Sequence, residues 1–206
     1  MRRGLFDKLE FTGVYNWMEY LYHGSALAGI TTLEARSLLH NSDKKVVYLT
    51  GNLPFALVYI WDGQHNHYDR KHVSGGIRNG TAFYEEWFPN QLEMFYKNVS
   101  GYLYCVQNCT DFQPVENREN LLYSEYDVSV DHVVFIQDVY EEILKYEKLG
   151  KFAVLRYNEQ AEKRQRELVD MMASFILANQ FFQNDPAQAK FMKKYFVMAW
   201  KKAENM

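Results

Sequence analysis

The sequence is short of the features that mark whole classes of protein. Two cysteines in 206 residues cannot build a disulfide framework, and 11 glycines with 4 prolines exclude a collagen-like repeat and leave no room for a low-complexity linker. Long apolar runs are missing as well. The longest, residues 55–61, spans seven positions, and Arg2-Arg3 has no apolar stretch behind it. Neither a membrane span nor a signal peptide is therefore expected, and the reading is a cytoplasmic protein. Charge of one sign is also lacking: 23 basic residues against 26 acidic ones give a net charge of −3. That removes the whole-chain footprint of a dedicated nucleic-acid binder and leaves only local patches open.

What is present is globular. Hydrophobic residues make up 48% and charged residues 24%, and a chain of this length buries a substantial core in one domain of ordinary size plus a modest appendage. Aromatic residues reach 17%, with 16 Tyr and 14 Phe. Tyrosine joins a large apolar ring to a polar handle, which suits a core that opens onto a flat, polar-edged ligand; a core that uses Tyr in place of Leu accounts for the same numbers. Cys105 and Cys109 make no metal motif without two further ligands nearby and read as free thiols. The sequons at Asn79, Asn98 and Asn108 have no export signal to accompany them and read as chance.

Along the first three quarters, short strands alternate with helices. Residues 20–23 and 45–50 are rich in β-formers, and residues 31–39 between them, with Leu33, Ala35, Leu38 and Leu39, predict a short helix or turn. Asn52 is a helix cap and Pro54 suits a first turn, which makes residues 55–61 a buried helix. Asn79-Gly80 is the pair that a type I′ turn favours, because both positions need positive φ, and it predicts a hairpin of residues 72–78 with 81–87. A short helix follows over 89–97, a strand over 101–106, and one or two strands over 121–136, broken near 129–131. Asp138 with Glu141 forms a capping box for a helix ending at Gly150.

From Asn158 the texture changes. Residues 159–182 are helical, with Leu168, Met171, Met172, Phe175, Ile176 and Phe182 on an apolar face. Pro186 opens a second helix to about Glu204, with five Lys against one Glu and with Phe191, Tyr195, Met198 and Ala199 turned inward. A basic aromatic helix suits a membrane surface or nucleic acid; a solvated face on a helix docked against its own domain is the reading adopted. The expected division is residues 1–157 as one domain and 158–206 as a helical extension docked on it.

Three segments stand out together: Tyr22-His23-Gly24-Ser25, a strand running into a turn; Val47-Tyr48-Leu49-Thr50, followed eleven residues after Tyr48 by Tyr59; and Leu121-Leu122-Tyr123-Ser124-Glu125-Tyr126. Singly, each reads as ordinary strand and core. In this order they resemble the ADP-ribosyltransferase superfamily, in the branch of diphtheria toxin and the poly(ADP-ribose) polymerases. That branch carries a His on one strand, a Tyr on the next and a Glu on a later one. The polymerases read Trp-His-Gly-Ser or similar in the first segment, Gly-Val-Tyr-Phe-Ala with a second Tyr eleven residues on in the next, and Leu-Leu-Tyr-Asn-Glu-Tyr in the third. The resemblance covers roughly residues 20–136. It departs from the polymerases in a shorter stretch between His23 and Tyr48, and in Ala56, which stands where they commonly place a Ser that holds the nicotinamide amide.

The resemblance implies an α+β fold of two packed, mainly antiparallel sheets around an NAD cleft, and transfer of ADP-ribose from NAD to an acceptor. Glu125 would stabilise the cationic, oxocarbenium-like ribose left when the nicotinamide bond breaks. Tyr48 and Tyr59 would sandwich the nicotinamide, the backbone of Gly24 would approach its carboxamide, and His23 and Ser25 would reach hydroxyls of the other ribose. NAD is then a substrate, no metal is needed, and the acceptor is an unknown protein, nucleic acid or small molecule. Two alternatives stand beside this: a binding module that keeps the cleft without catalysis, and a nucleic-acid-modifying relative such as an RNA 2′-phosphotransferase-like enzyme. His65, His67 and His72 with Asp62 and Asp69 are poorly spaced for zinc and read as a loop over the cleft. Glu85, Glu86, Glu116, Arg118 and Glu119 read as surface or hydrogen-bonded loop residues, although residues 111–119 precede the proposed catalytic strand, where relatives in the superfamily touch the acceptor.

Overall fold

The computed structural model describes residues 20–39, 42–61, 74–109, 111–181 and 186–206. Its centre is a seven-stranded sheet built on β1 (Tyr20–Ser25), β4 (Lys45–Thr50) and β7 (Gly101–Gln107). β11 (His132–Ile136) flanks β7, while β9 (Leu121–Ser124) and β8 (Gln113–Pro114) continue the sheet beyond β4. All these pairings are antiparallel. A strand with both faces covered needs an unbroken apolar run, and β4 has one in residues 46–49, of which Val46, Val47 and Leu49 are buried, as is the polar Thr50 that follows. β7 buries Leu103, Tyr104, Cys105 and Val106 in the same way.

Strand alternation divides these side chains between two cores. Leu21, Val47, Leu49, Tyr104 and Val106 turn to one face, against Leu33 of β2 (Thr32–Leu33) and Val128 of β10 (Val128–Ser129), which pair as a small sheet of their own. Leu103 and Ile136 turn to the other face, where the helices pack. There α1 (Leu53–Leu57) is capped by the Asn52 side chain, which accepts from the Phe55 N–H at 3.0 Å, and Pro54 sits in its first turn. A second main sheet sits on this side, made of β5 (Gly75–Arg78), β6 (Thr81–Glu85) and β12 (Phe152–Leu155), with β12 parallel to β6. Asn79 and Gly80 join β5 to β6 with φ of 50° and 78°, as a type I′ turn requires.

α2 (Gln91–Tyr96) and α3 (Val139–Lys148) complete the helical layer, α3 opening on the Asp138 side chain, which accepts from the Glu141 N–H at 3.1 Å. The same core takes in α4 (Glu162–Ala178), α5 (Pro186–Tyr195) and α6 (Val197–Glu204) through Met172, Ile176, Phe191, Met192 and Trp200. The fold is thus α+β, with two main, largely antiparallel sheets and C-terminal helices.

Several expectations are corrected. Residues 31–39 form no helix: Thr32–Leu33 pairs with β10, and β3 (Ser37–Leu38) pairs with β4, so that tertiary partners satisfy a backbone whose apolar spacing looked helical. Leu33 is buried while Leu38 is exposed, so these positions do not share a face. β12 was not foreseen. The single C-terminal helix is broken at Phe196, and Met198 and Met171 face solvent while Met192 and Trp200 are buried. Phe182 lies outside the described residues, as does the start of the first hairpin strand at 72–73.

Because Met172 of α4 is 1% exposed inside this shared core, truncation should be felt by the whole fold. Met172→Ala is expected to lower stability by about 2–5 kcal/mol, the cost of a large-to-small change at a well-packed site. Urea denaturation measures it. A change within about 0.5 kcal/mol, the range of surface substitutions, would show that α4 is not part of the common core.

Candidate functional site

β1 and β4 share a single bridged position, Tyr22 opposite Thr50. Beyond it they part. β1 continues along β7 through His23, Gly24 and Ser25, whereas β4 takes β3 as its neighbour at Val46 and Lys45. His23 spans the opening, with Nδ1 3.0 Å from the backbone carbonyl oxygen of Tyr48. A carbonyl can only accept, so Nδ1 carries the proton and Nε2 of the neutral ring is left as an acceptor. Burial pushes the His23 pKa down, with the bond to Tyr48 acting the other way.

Alternation sends the two side chains to opposite faces of the sheet. His23 lies opposite Tyr104 on the β2–β10 side, and Tyr48 lies opposite Tyr123 on the side of α1. The Tyr48 hydroxyl donates to the Leu38 carbonyl at 3.1 Å, which anchors the ring at the wall of a cleft of about 480 Å³. Tyr59, just past α1, lines the same cleft, with its ring packed edge-on against Phe55 at 5.4 Å. Burial raises the Tyr59 phenol, and the charge of Arg118 opposes that rise. Ile77, Arg78 and Phe83 from the β5–β6 hairpin and Arg118 and Glu119 from the loop before β9 form the rest of the wall. In size and in its aromatic and polar lining the cleft fits a flat ring carrying a polar substituent.

The other expected residues lie elsewhere. Gly24 packs under α1: a Cβ there would stand 2.1 Å from the Ala56 carbonyl oxygen, so close backbone packing alone demands glycine at this position. The Ser25 hydroxyl accepts from the Leu27 N–H at 3.2 Å in a local turn. Glu125 follows β9, where the Ser124 hydroxyl bonds both the N–H and the carbonyl of Tyr126 and turns the chain out of the strand line. Its carboxylate is exposed and meets Lys44 Nζ at 2.6 Å, and Glu125 is not among the residues that line the cleft. The carboxylate in the cleft wall belongs to Glu119, whose Oε1 accepts from the Gly80 N–H at 2.5 Å.

Sequence reading thus found both tyrosines of the cleft, passed over Arg78 and Phe83, and placed Arg118 and Glu119 only in the loop ahead of the third motif, with Glu119 as the carboxylate to try after Glu125. The available signal was weak: Arg78 abuts the Asn79-Gly80 turn, and Arg118 and Glu119 stand in the loop ahead of the third motif. Both cysteines are free, and burial pushes the Cys105 thiol up to about 12, which leaves it inert as a nucleophile at neutral pH. Among the described residues no cluster of His, Cys, Asp and Glu could hold a metal ion, and no helix is long and apolar enough to cross a membrane. His65, His67 and His72 with Asp62 and Asp69 lie outside the described residues. No family model, curated protein or solved structure matches the chain.

The lowered pKa of His23 has a consequence for stability. Above the ordinary histidine value of 6.5, folded and unfolded chains both keep His23 neutral. Below it the unfolded chain takes up a proton that the folded chain resists, so stability is lost as pH falls toward the folded value. Melting temperatures measured from about pH 7.5 down to about pH 5.5 should decline, and His23→Gln should flatten part of that decline. A parallel decline in parent and variant would show that His23 does not resist protonation.

Proposed function

We propose that the chain binds NAD with its nicotinamide ring in the Tyr48–Tyr59 cleft, breaks the bond from nicotinamide to ribose, and passes ADP-ribose to an acceptor. The observation that carries this reading is that two tyrosines picked out by an eleven-residue spacing line one cleft of nucleotide size, while His23 is tied to the backbone of one of them. Tyr48 and Tyr59 hold the flat ring and orient it toward the ribose. The ring nitrogen leaves with the bonding electron pair, the acceptor's nucleophile forms the new bond at the same ribose carbon, and the acceptor gives up its proton. A fixed carboxylate stabilises the positive charge on the sugar, which is larger in the transition state than in bound NAD. In the neutral form favoured by burial, His23 offers Nε2 to a ribose hydroxyl, and a ligand lying in the opening between β1 and β4 meets that ring from one side and Tyr48 from the other.

Two carboxylates are candidates. Glu125 is the one that the motif implies, and Glu119 is the one in the cleft wall. The engagement of Glu125 with Lys44 also favours a second reading, in which the cleft binds NAD or an ADP-ribose-like ligand without cleaving it.

Two measurements test these readings. Calorimetry should show Tyr59→Ala binding NAD more weakly by about 1 kcal/mol, the scale of one aromatic pair; equal affinity in parent and variant counts against the cleft. Nicotinamide release from NAD, with and without acceptor, should fall by about 10²-fold or more in Glu125→Gln or in Glu119→Gln while binding survives. The variant that loses turnover identifies the carboxylate. Binding by the parent with no release under any condition establishes the sensing reading in place of transfer.

A further inference from the structure

The arginines of this chain divide sharply by partner. Six lie among the described residues, and four are held by carboxylates: Arg36 by Glu34, Arg156 by Glu147, Arg164 by Glu85 and Glu167, and Arg166 by Glu162. The two with no ion pair among the described residues are Arg78 and Arg118, and both line the Tyr48–Tyr59 cleft. The carboxylate in the wall, Glu119, makes no ion pair with either; its Oε1 accepts from the Gly80 N–H. Each is also positioned. The Arg78 guanidinium stands 5.1 Å from the centroid of the Phe83 ring, on a hairpin whose register is fixed by its type I′ turn. Arg118 sits in a turn whose N–H donates to the Val115 carbonyl at 3.2 Å, close enough to Tyr59 for its charge to act on the phenol.

Exposed guanidinium groups without carboxylate partners, set among aromatic faces, are built to take an anion attached to a flat ring. Their forked donors match phosphate oxygens, and the tyrosines take the ring. We propose that Arg78 and Arg118 form an anion subsite that grips the phosphate of a mononucleotide or dinucleotide whose ring lies in the Tyr48–Tyr59 cleft. This deepens the functional reading and rests on the cleft being its ligand site. It also bounds the length of the ligand. Arg78 and Phe83 are shared with a neighbouring cleft of about 590 Å³, but the arginines there, Arg156 and Arg164, are already paired with Glu147 and Glu85. Among the described residues, unpaired arginine charge therefore stops at Arg78, which suits one or two phosphates.

The test uses the full chain and ligand pairs that differ only in phosphate: nicotinamide mononucleotide against nicotinamide riboside, and AMP against adenosine. Calorimetry on the parent should find the phosphorylated member of at least one pair bound about tenfold more tightly or better, the factor that one charge-assisted hydrogen bond supplies. Added salt should reduce that preference. Arg78→Gln and Arg118→Gln should each erase most of it, and Arg166→Gln, at an exposed pair on α4, should leave it intact. A preference in the nicotinamide pair assigns the phosphate to the donor, and one in the adenosine pair assigns it to the adenylate half or to a nucleotide acceptor. Equal binding within both pairs, or a preference that survives both cleft variants, overturns the subsite. Ten-residue oligothymidylate bound far more tightly than thymidine monophosphate overturns the limit on length. None of these readouts needs catalysis, so phosphate-dependent binding without nicotinamide release keeps the subsite and removes the transfer, and release without phosphate dependence does the reverse.

Discussion

The carbonyl of Ala56 and the side chain of Ile60 press onto β1 and β7 at the two places where those strands have no side chain. A Cβ on Gly24 would meet the Ala56 oxygen at 2.1 Å, and one on Gly101 would meet Ile60 Cγ2 at 2.3 Å. The short segment from Leu53 to Trp61 is therefore seated directly on the strand backbones, through the Ala56 carbonyl at Gly24 and the Ile60 side chain at Gly101. Everything at the cleft inherits that seating. Tyr59 leaves the segment between two buried residues, Val58 and Ile60, so its ring has little freedom to go anywhere but outward. Tyr48 belongs to the strand that runs directly into the same segment through the Asn52 cap. A five-residue helix would be marginal alone; here burial of Phe55, Ala56, Leu57 and Val58 supplies what its length cannot.

Features with one dominant local cause were legible in the sequence. Asn79-Gly80 needs positive φ at both positions, the Asp138 side chain accepts from an N–H three residues on, and residues 46–49 are an unbroken apolar run. Each gave its element nearly to the residue. The misses share a different cause. Phe152–Leu155 becomes a strand only because β6, about seventy residues earlier, presents a free edge to it in parallel, and nothing within a four-residue segment announces such a partner. The break between α5 and α6 involves neither Pro nor Gly. It falls at Phe196, whose ring packs edge-on to Phe88 at 5.1 Å, so an aromatic contact from the far side of the core overrides helix propensity. Residues 31–39 follow the same rule, with pairing partners taking a segment whose apolar spacing favoured a helix.

The candidate site was legible to the same degree and for the same reason. A motif reports which residues lie near one another along strands; the face each side chain takes depends on register. The pairing of Tyr22 with Thr50 puts His23 and Tyr48 on opposite faces, joined through a ring-to-backbone hydrogen bond. The expected trio is consequently spread around the parting of β1 from β4, not gathered on one wall. Arg78 and Arg118 were not read as ligand-binding residues because their importance lies in what they lack: the sequence shows how many arginines there are, but not which of them find carboxylates.

That distinction between held and unheld charge also bears on the two glutamates. Glu119 lines the cleft but has one oxygen bound to a backbone N–H of the hairpin turn, so it is fixed in place with a second oxygen still able to accept. Such a group is preorganised, and a preorganised carboxylate stabilises developing positive charge without reorganising first. Glu125 is the reverse case. Its partner Lys44 is exposed, and exposed ion pairs hold weakly, so a ligand hydroxyl can replace the ammonium at small cost. Yet the Ser124–Tyr126 turn must also yield before Glu125 regains the strand line, where the β4–β9 register would set it opposite Val46. If Glu125 is the catalytic group, ligand binding has to remake that turn, and catalysis is coupled to a local rearrangement. If Glu119 is, the cleft can work as it stands, and the Leu-Leu-Tyr-Ser-Glu-Tyr stretch serves chiefly to place Tyr123 beside Tyr48.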